Sequence, residues 1–199
     1  RWRYAGAFFR LNYSYDNRYL FEVNGRYDGS SKFPNNSQWG FFPSASAAWR
    51  LSEERFWKVD PKFLSNVKLR MSYGALGNSN VNPYSYLEKF SLSTFSTTGT
   101  STDGRYLDGS AKLRYTKNPS QIPDNIGWET SKTVDVGIDL GFLHNKITLS
   151  ADYYVRKTID MYTVGPTLPD TFGASSPKGN YADMSTYGYE ISLGYNDSF

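Results

Sequence analysis

The chain contains no cysteine and a single histidine, His144, among its 199 residues. The missing thiols exclude a disulfide framework, a thiolate zinc site and a cysteine nucleophile within this segment. One imidazole leaves no room for a histidine-based metal cluster, and we expect no Ser-His-Asp triad. Walker, GxSxG and HExxH motifs are also missing. The sequence therefore predicts no catalytic residue, no metal, no cofactor and no enzyme activity.

The chain also lacks a strong excess of positive or negative charge, and it lacks long apolar runs. The chain has 22 Lys and Arg against 19 Asp and Glu, and these charges are spread along it. This balance gives no reason to expect a nucleic-acid partner. Mean hydropathy is −0.59, and no apolar run reaches the ~18 residues of a transmembrane helix. Aromatic residues, in contrast, make up 18 % of the chain, which in a polar sequence suits the wall of an outer-membrane β-barrel.

Strict alternation of apolar and polar residues is the dominant pattern. It predicts seven strands, over 3–15, 19–27, 41–51, 67–75, 133–142, 147–156 and 186–196. A short helical turn is expected over 52–57, with Ser52 as its cap and Glu53 and Glu54 as helix-terminus acids. Segment 84–95 suggests a further hairpin.

The predicted connections alternate in length. Those after the first and fifth strands are short, whereas those after the second, fourth and sixth are long, at 28–40, 77–129 and 158–185. Short periplasmic turns alternating with longer outer loops are typical of outer-membrane barrels. Several strands also reach the roughly 9–11 residues that a tilted strand needs to cross a bilayer. We therefore predict an all-β fold in which residues 1–199 form part of one antiparallel transmembrane β-barrel.

Seven strands cannot close such a barrel, and an open sheet edge is not tolerated in hydrocarbon. Both ends of the chain lie beside strand-like runs, so we expect an internal fragment of a longer protein. The missing strands would then belong to the rest of that protein.

The polar face of the predicted strands carries ionic as well as hydroxyl side chains, as a wet barrel interior permits. The charged residues predicted to face this lumen are Arg10, Glu22, Arg26, Lys68, Arg70, Asp135, Asp139, Asp152, Arg156 and Glu190. They have two interpretations. Either they contact a plug or a substrate, or they pair with one another in a hydrated wall, and the second is favoured.

Three aromatic residues in or beside predicted outer loops, Trp39, Tyr84 and Tyr86, are the candidate substrate-binding residues. Exposed aromatic faces suit stacking on sugar rings, although packing within loops or at the membrane interface is the plainer interpretation. Segment 28–31 is more typical of a tight turn than of a binding surface. The acidic residues of the long loop match no EF-hand spacing and are expected to be solvated: Asp103, Asp108 and Asp124.

Several sequence blocks follow one another in a distinctive order. They are RYLFE at 18–22, RYDGSSKF at 26–33, GFFPS at 40–44, AWR at 48–50, LRMSYG at 69–74, GN at 77–78, WETSK at 128–132, DYY at 152–154 and YGYE at 187–190. In these blocks and their order the chain resembles the SusC/RagA family of TonB-linked outer-membrane transporters. The resemblance covers nearly the whole chain, and only 91–121 is nondescript.

This resemblance implies a barrel of about 22 strands, an N-terminal plug, a TonB box and a SusD-like surface lipoprotein that acts as a lid. Such proteins lie in the outer membrane of Gram-negative bacteria and import oligosaccharides, or in some cases peptides, with energy delivered by TonB. No plug or TonB box is expected within 1–199, and the segment is placed in the later half of the barrel. The expected contacts are thus membrane lipid, the lipoprotein, the substrate and, through the missing N-terminal part, TonB.

Two alternatives stay open. A siderophore- or cobalamin-type TonB-dependent receptor would share the barrel but have no lipoprotein lid. A soluble β-sandwich that binds glycans, such as a surface lectin, would also bury one face of each strand.

Overall fold

The computed structural model describes residues 1–94, 114–117, 121–123, 125–169, 171 and 176–196. The strands in these residues are β1 Tyr4–Tyr15, β2 Tyr19–Ser30, β3 Trp39–Arg50, β4 Leu64–Asn78, β5 Ser91–Thr94, β6 Arg114–Lys117, β7 Glu129–Phe142, β8 Ile147–Val164 and β9 Lys178–Tyr195. A short 3₁₀ helix, Leu51–Glu53, follows β3. The expected loop acids Asp103, Asp108 and Asp124 lie outside the described residues. In the described part of the chain, no helix is long and apolar enough to cross a membrane.

Seven strands form one antiparallel sheet in the order β1-β2-β3-β4-β7-β8-β9. Each large strand pairs with its neighbour along the chain, except that the long connection between β4 and β7 contains the separate β5–β6 pair. This meander is the connectivity of an up-and-down barrel wall. The predicted all-β, antiparallel fold is confirmed, and among the described residues the sheet is open, with β1 and β9 at its edges.

The two short turns have left-handed backbone conformations. Asp16 and Asn17 have φ of 49° and 53°, and the Arg18 amide donates to the Tyr15 carbonyl at 3.0 Å. Two consecutive positive φ angles define the type I′ turn, whose twist matches that of the flanking strands. Leu143, His144 and Asn145 make the β7–β8 turn with φ between 52° and 63°. Both turns lie where the alternation ends in the sequence.

The loop predicted over 158–185 is mostly wrong. β8 continues to Val164 and β9 begins at Lys178, so the connection covers only 165–177. The register between these strands shifts after Thr158, where Asp160 has a φ of 57°. Such a bulge changes the face on which the following side chains lie, and the simple alternation of the sequence ends there.

The predicted helical turn exists but differs in its cap. The 3₁₀ helix spans Leu51–Glu53, so Ser52 lies inside it, and Arg50 at the N-cap makes no side-chain capping bond. β3 continues directly into the helix and leaves no separate capping residue. The Ser52 hydroxyl instead donates to Asn66 Oδ1 at 3.4 Å, and Glu54 follows the helix in an extended conformation.

The hairpin predicted over 84–95 is also wrong in its pairing. β5 forms within this segment, but its partner is β6, far along the chain. Around Tyr84 the backbone turns instead: Tyr84 has a φ of 63°, and the Leu87 amide donates to the Tyr84 carbonyl at 3.2 Å.

The buried apolar cluster of the described chain lies at the loop end of the sheet. Phe33, Val81 and Ile126 come from three different loop segments and are at most 6 % exposed. Tyr86, Trp128 and Tyr162 pack against them. The loops are thus packed on one another, whereas the buried apolar residues of the described strands are Phe42, Val67 and Ala75.

Candidate functional site

The register of the sheet separates two faces. Side chains alternate between faces along a strand, and residues opposite one another on paired strands share a face. One face carries apolar and aromatic residues, of which many are strongly exposed: Phe9, Leu11, Tyr13, Phe21, Phe41, Met71, Val136, Tyr153, Tyr187, Tyr189, Ile191 and Leu193. A continuous exposed apolar surface of this size indicates contact with a membrane or another apolar surface.

All ten charged residues predicted to face the lumen share the opposite, polar face. Their positions follow from the pairs that link neighbouring strands, such as Lys68 opposite Asp139 and Asp152 opposite Glu190. Seven of the ten form ion pairs: Arg10, Glu22, Arg26, Lys68, Arg70, Asp139 and Asp152. Six of these seven pair with one another, and Arg26 pairs with Asp28 on the same face.

The densest group of charges is centred on Arg70. Its Nε donates to Asp139 Oδ2 and its second terminal nitrogen to Asp152 Oδ2, both at 2.9 Å. Lys68 Nζ lies 3.8 Å from the same Asp139 oxygen, and the Ser150 hydroxyl donates to Asp139 Oδ1 at 2.8 Å. One arginine thus bridges three strands, β4, β7 and β8.

This bridge depends on a glycine between the partners. Gly137 lies opposite Arg70 on one side and opposite Asp152 on the other. A Cβ at Gly137 would overlap Asp152 Oδ1 and approach Arg70 Cζ to 3.0 Å. The missing side chain therefore lets the guanidinium pass over β7 and reach β8. Among the described residues Asp152 Oδ1 is buried without a hydrogen-bond partner.

A second group of ions lies on β1 and β2. Arg10 pairs with Glu22 at 2.8 Å, and Asn24 donates to the other Glu22 oxygen at 2.8 Å. Arg26 pairs with Asp28 at 2.7 Å. Both guanidinium groups remain more than half exposed, so these pairs add little stability and leave the cations accessible.

The other three predicted lumen residues form no ion pair within the described part of the chain. Arg156 Nε contacts Thr133 Oγ1 at 3.4 Å, and its guanidinium lies 6.0 Å from the Tyr154 ring centre. Asp135 is half-buried, and Glu190 is exposed opposite Asp152.

A hollow of about 700 Å³ opens on the polar face towards the loop end. Tyr4, Phe8, Arg10, Arg26 and Leu76 are among the residues that line it. Phe8 is 82 % exposed and Leu76 71 %, so this wall offers apolar contacts beside two cations. Neither residue is among the candidates predicted from the sequence, although each is an apolar residue at a polar position of the alternation.

The three predicted substrate-binding aromatics are not brought together. Trp39 stacks on Tyr27, with ring centres 4.9 Å apart, on the apolar face of the sheet. The Tyr84 hydroxyl donates to the Arg1 carbonyl at 2.7 Å. Tyr86 packs against the Phe33 cluster. In this structure each is thus held by a different part of the protein.

The loop end is held to the sheet by Asn180 of β9. Its Oδ1 accepts from the Gly127 amide at 2.9 Å, and its Nδ2 donates to the Gly127 carbonyl at 3.3 Å. Asn125 Nδ2 donates to the Asn180 carbonyl at 2.9 Å, and Trp128 Nε1 donates to the Gln38 carbonyl at 3.1 Å. These bonds fix the segment before β7 against two neighbouring parts of the wall.

The opposite end of the sheet has its own charged cluster, around Glu54. Its Oε1 accepts from the Tyr19 hydroxyl at 2.6 Å and from Trp49 Nε1 at 2.9 Å, and Arg18 contacts Oε2 at 3.1 Å. These hydrogen bonds, with the Arg18 charge, lower the pKa of Glu54 below its usual value although partial burial opposes the shift. Glu54 is therefore more than a helix-terminus acid, because it ties the β1–β2 turn to the end of β3.

Within the described ranges, no three His, Cys, Asp or Glu residues are grouped as a metal site would require.

The comparisons with known proteins agree with this geometry. The family model described as TonB dependent receptor-like, beta-barrel matches residues 1–199. The chain is 39 % identical over 189 residues to TonB-dependent receptor P3 of Formosa agariphila, and 36 % identical over 188 residues to TonB-dependent receptor SusC of Bacteroides thetaiotaomicron. These alignments cover 95 % and 94 % of this chain but only 18 % of each relative.

Solved structures of a peptide transporter also match the fold of this chain. The RagAB peptide transporter matches with a TM-score of 0.77 and 24 % identity, over 96 % of this chain and 20 % of that one. The RagAB peptide importer in its closed-closed state matches with a TM-score of 0.76 and 26 % identity, over 96 % and 19 %. These relatives confirm the resemblance to SusC and RagA that the sequence blocks indicate.

Proposed function

The chain belongs to the TonB-dependent receptor-like β-barrel family, and on that premise we propose that it forms part of the wall of an outer-membrane importer. The observation that carries this proposal is the division of one sheet into an exposed apolar face and a face of paired ions. A barrel wall requires both, because its outer face meets lipid and its inner face meets water.

The apolar face is the surface proposed to contact membrane lipid. Its aromatic residues lie towards both ends of the strands, with Trp39 on Tyr27 near the loops and Trp49 on Tyr19 near the short turns. Such pairs are typical of the two interfacial girdles of an outer-membrane barrel. The long connections would then lie outside the cell and the short turns in the periplasm.

The polar face is proposed to line the lumen, with all ten predicted charged residues on it. The hollow beside Phe8 and Leu76 offers apolar and cationic groups to whatever passes or fills the barrel. Tyr84 and Tyr86 of the outer connection stay candidates for contact with an incoming substrate.

The chain spans about a fifth of the length of the relatives that it matches. The plug, the TonB box and the remaining strands are therefore proposed for the rest of the protein. A SusD-like surface lipoprotein is the proposed partner, because the SusC relative and the RagAB structures support that assignment. The substrate is proposed to be an oligosaccharide or a peptide.

A soluble β-sandwich has less support. Such a fold covers the apolar face of one sheet with a second sheet. In the described residues the other sheet is the two-stranded β5–β6 pair, and the apolar face of the large sheet stays exposed.

The test uses the full-length protein, isolated from its native membranes. We expect it in the outer-membrane fraction together with a surface lipoprotein, and we expect cells to take up labelled oligosaccharides or peptides only when TonB is active. Uptake that persists without TonB, or a full-length protein confined to the soluble fraction, would contradict the proposal. A receptor without a lipoprotein partner would instead support the siderophore- or cobalamin-type alternative.

A further inference from the structure

Two charged side chains interrupt the apolar face of the sheet, Lys132 on β7 and Lys157 on β8. The register pairs them directly and continues the same row to Ala75 on β4 and Ser185 on β9. Along the paired parts of all seven strands, up to the β8 bulge, every other residue that the register assigns to this face is uncharged. The two lysines are therefore a local exception and not part of a general surface charge.

The pair lies at the border of the apolar belt. Below Lys132, towards the short turn, β7 presents only apolar residues to this face: Val134, Val136, Ile138, Leu140 and Phe142. Five outward positions correspond to the roughly nine or ten residues that cross the hydrocarbon layer. The lysines then lie at the level of the headgroups, on the side of the long loops.

The two adjacent ammonium groups of Lys132 and Lys157 would be stabilised by an anion bound between them. Like charges directly opposite one another on paired strands repel and destabilise the sheet. Both side chains are exposed, and within the described ranges neither ammonium lies within 4.0 Å of a carboxylate. Tyr73 and Tyr187, one step further into the belt, share this face and carry hydroxyl donors. An anion at the border would relieve the repulsion and meet several donors.

We propose that Lys132 and Lys157 together bind the headgroup phosphate of a lipid in the outer leaflet of the membrane. This inference rests on the proposed orientation of the barrel, with its long loops outside the cell. Basic residues that line a membrane protein at headgroup level recognise anionic lipid in this way. The site would anchor a bound lipid to the seam between β7 and β8.

The test measures lipid retention by the full-length receptor in a nonionic detergent, with native mass spectrometry as the readout. The probe is diphosphorylated lipid A, and its dephosphorylated form is the matched ligand. We expect the K132Q/K157Q variant to bind lipid A roughly 25-fold more weakly, since each lysine at a headgroup contributes about fivefold. K132R/K157R should restore binding because it keeps both charges.

The control variant is K58Q/K62Q, which removes two exposed lysines from the connection at the short-turn end. We expect it to bind lipid A as the unmodified receptor does. Equal loss in both variants, equal binding of dephosphorylated lipid A, or displacement by an equal concentration of inorganic phosphate would each overturn the lipid site. This assay needs no transport, so failure of the import proposal would be seen separately, in the fractionation and uptake experiments.

Discussion

Arg70 links three strands of the wall because Gly137 leaves the space between its two aspartate partners open. Glycine weakens a strand by itself, since it adds conformational entropy to the unfolded chain. Here that cost is offset by two charge-assisted hydrogen bonds at 2.9 Å. The glycine is thus part of the ion cluster although it has no polar side chain.

Gly137→Ala tests this dependence. The new methyl group would overlap Asp152 Oδ1 and force the Arg70 side chain aside, so we expect the free energy of unfolding to fall by about 1–3 kcal/mol. Denaturant unfolding of the full-length receptor in detergent measures it. Gly74→Ala is the control, because its Cβ would meet only Ser44 Cβ at an ordinary 3.7 Å. Equal effects of the two substitutions would show that the cluster does not depend on the glycine.

Glu54 predicts a pH dependence at the short-turn end. Its pKa is lowered in the folded protein by hydrogen bonds from Tyr19 and Trp49. Its contribution to stability is therefore present above the unfolded pKa, about 4.3, and is lost as the pH falls through the lower folded value. Glu54→Gln should lower the thermal unfolding temperature at neutral pH, and the difference should vanish in strong acid.

Circular dichroism of the full-length receptor across this pH range measures the effect. Glu53→Gln is the matched control, since Glu53 is exposed and forms no ion pair within the described part of the chain. A Glu54→Gln difference that is the same at every pH would mean that the charge of Glu54 does not matter.

The face of each charged residue could be predicted from the sequence, but its partner could not. The period of two places Arg70 and Asp139 on the polar side of their strands without any structure. Their contact depends on the pairing of β4 with β7, which are separated by the long connection. For Phe8 and Leu76 even the face was not predicted. The alternation assigns polar residues to the polar face, so an apolar residue at such a position is not recognised as part of it.

At the scale of one strand, β8 should respond to charge according to face. Leu149 and Ser150 are neighbours on opposite faces, and the Ser150 hydroxyl already contacts Asp139. We expect Leu149→Arg to destabilise barrel assembly by about 2–4 kcal/mol, as for a cation near the bilayer midplane. Ser150→Arg should be far milder, since it lies among the carboxylates of the polar face.

Folding of the full-length receptor into detergent micelles or vesicles, followed by its heat-modifiable mobility in gels, measures both variants. If arginine were tolerated equally at both positions, the assignment of lipid and lumen faces would be wrong. Ile138→Arg on β7 should behave as Leu149→Arg does, because Ile138 lies on the same face.

Asn180 makes several of the hydrogen bonds that hold segment 125–128 to β9, so its substitution should loosen this segment. Asn180→Asp removes the donor to the carbonyls of Gly127 and Asp160 and leaves both groups without that partner, at a cost of about 1–3 kcal/mol each. We expect amide exchange of Gly127 to accelerate by on the order of tenfold through local opening. Hydrogen exchange of the full-length receptor measures it, and Asn36→Asp, which keeps the acceptor for Ser37, should have no effect. An unchanged Gly127 rate would show that Asn180 does not hold this segment.

The central parts of the elements could be predicted, whereas their outer ends could not. Each predicted strand overlaps an observed one, because the apolar belt imposes alternation on the residues within it. Beyond the belt both faces meet water, so β8 and β9 continue through mixed sequence whose alternation is broken by Lys157 and by the adjacent Met161 and Tyr162. The β8 bulge at Asp160 also shifts the register, so the alternation of apolar and polar residues does not continue beyond it.

At the scale of the whole molecule, the seven-stranded sheet has two unpaired edges. The outer sides of β1 and β9 pair with no other strand among the described residues, and hydrocarbon does not tolerate free N–H and C=O groups. The apolar face is also exposed over the full width of the sheet. Neither feature is compatible with a stable segment by itself, in water or in lipid.

We therefore expect residues 1–199, expressed alone, to aggregate without detergent and to stay accessible to protease when mixed with vesicles. The full-length receptor should fold into the same vesicles and protect its strands, because the remaining strands close the sheet and pair both edges. Size-exclusion chromatography and protease protection distinguish the two. A monodisperse, soluble segment of 199 residues would mean that the apolar face is covered within this chain, and a β-sandwich would then replace the barrel wall as the interpretation.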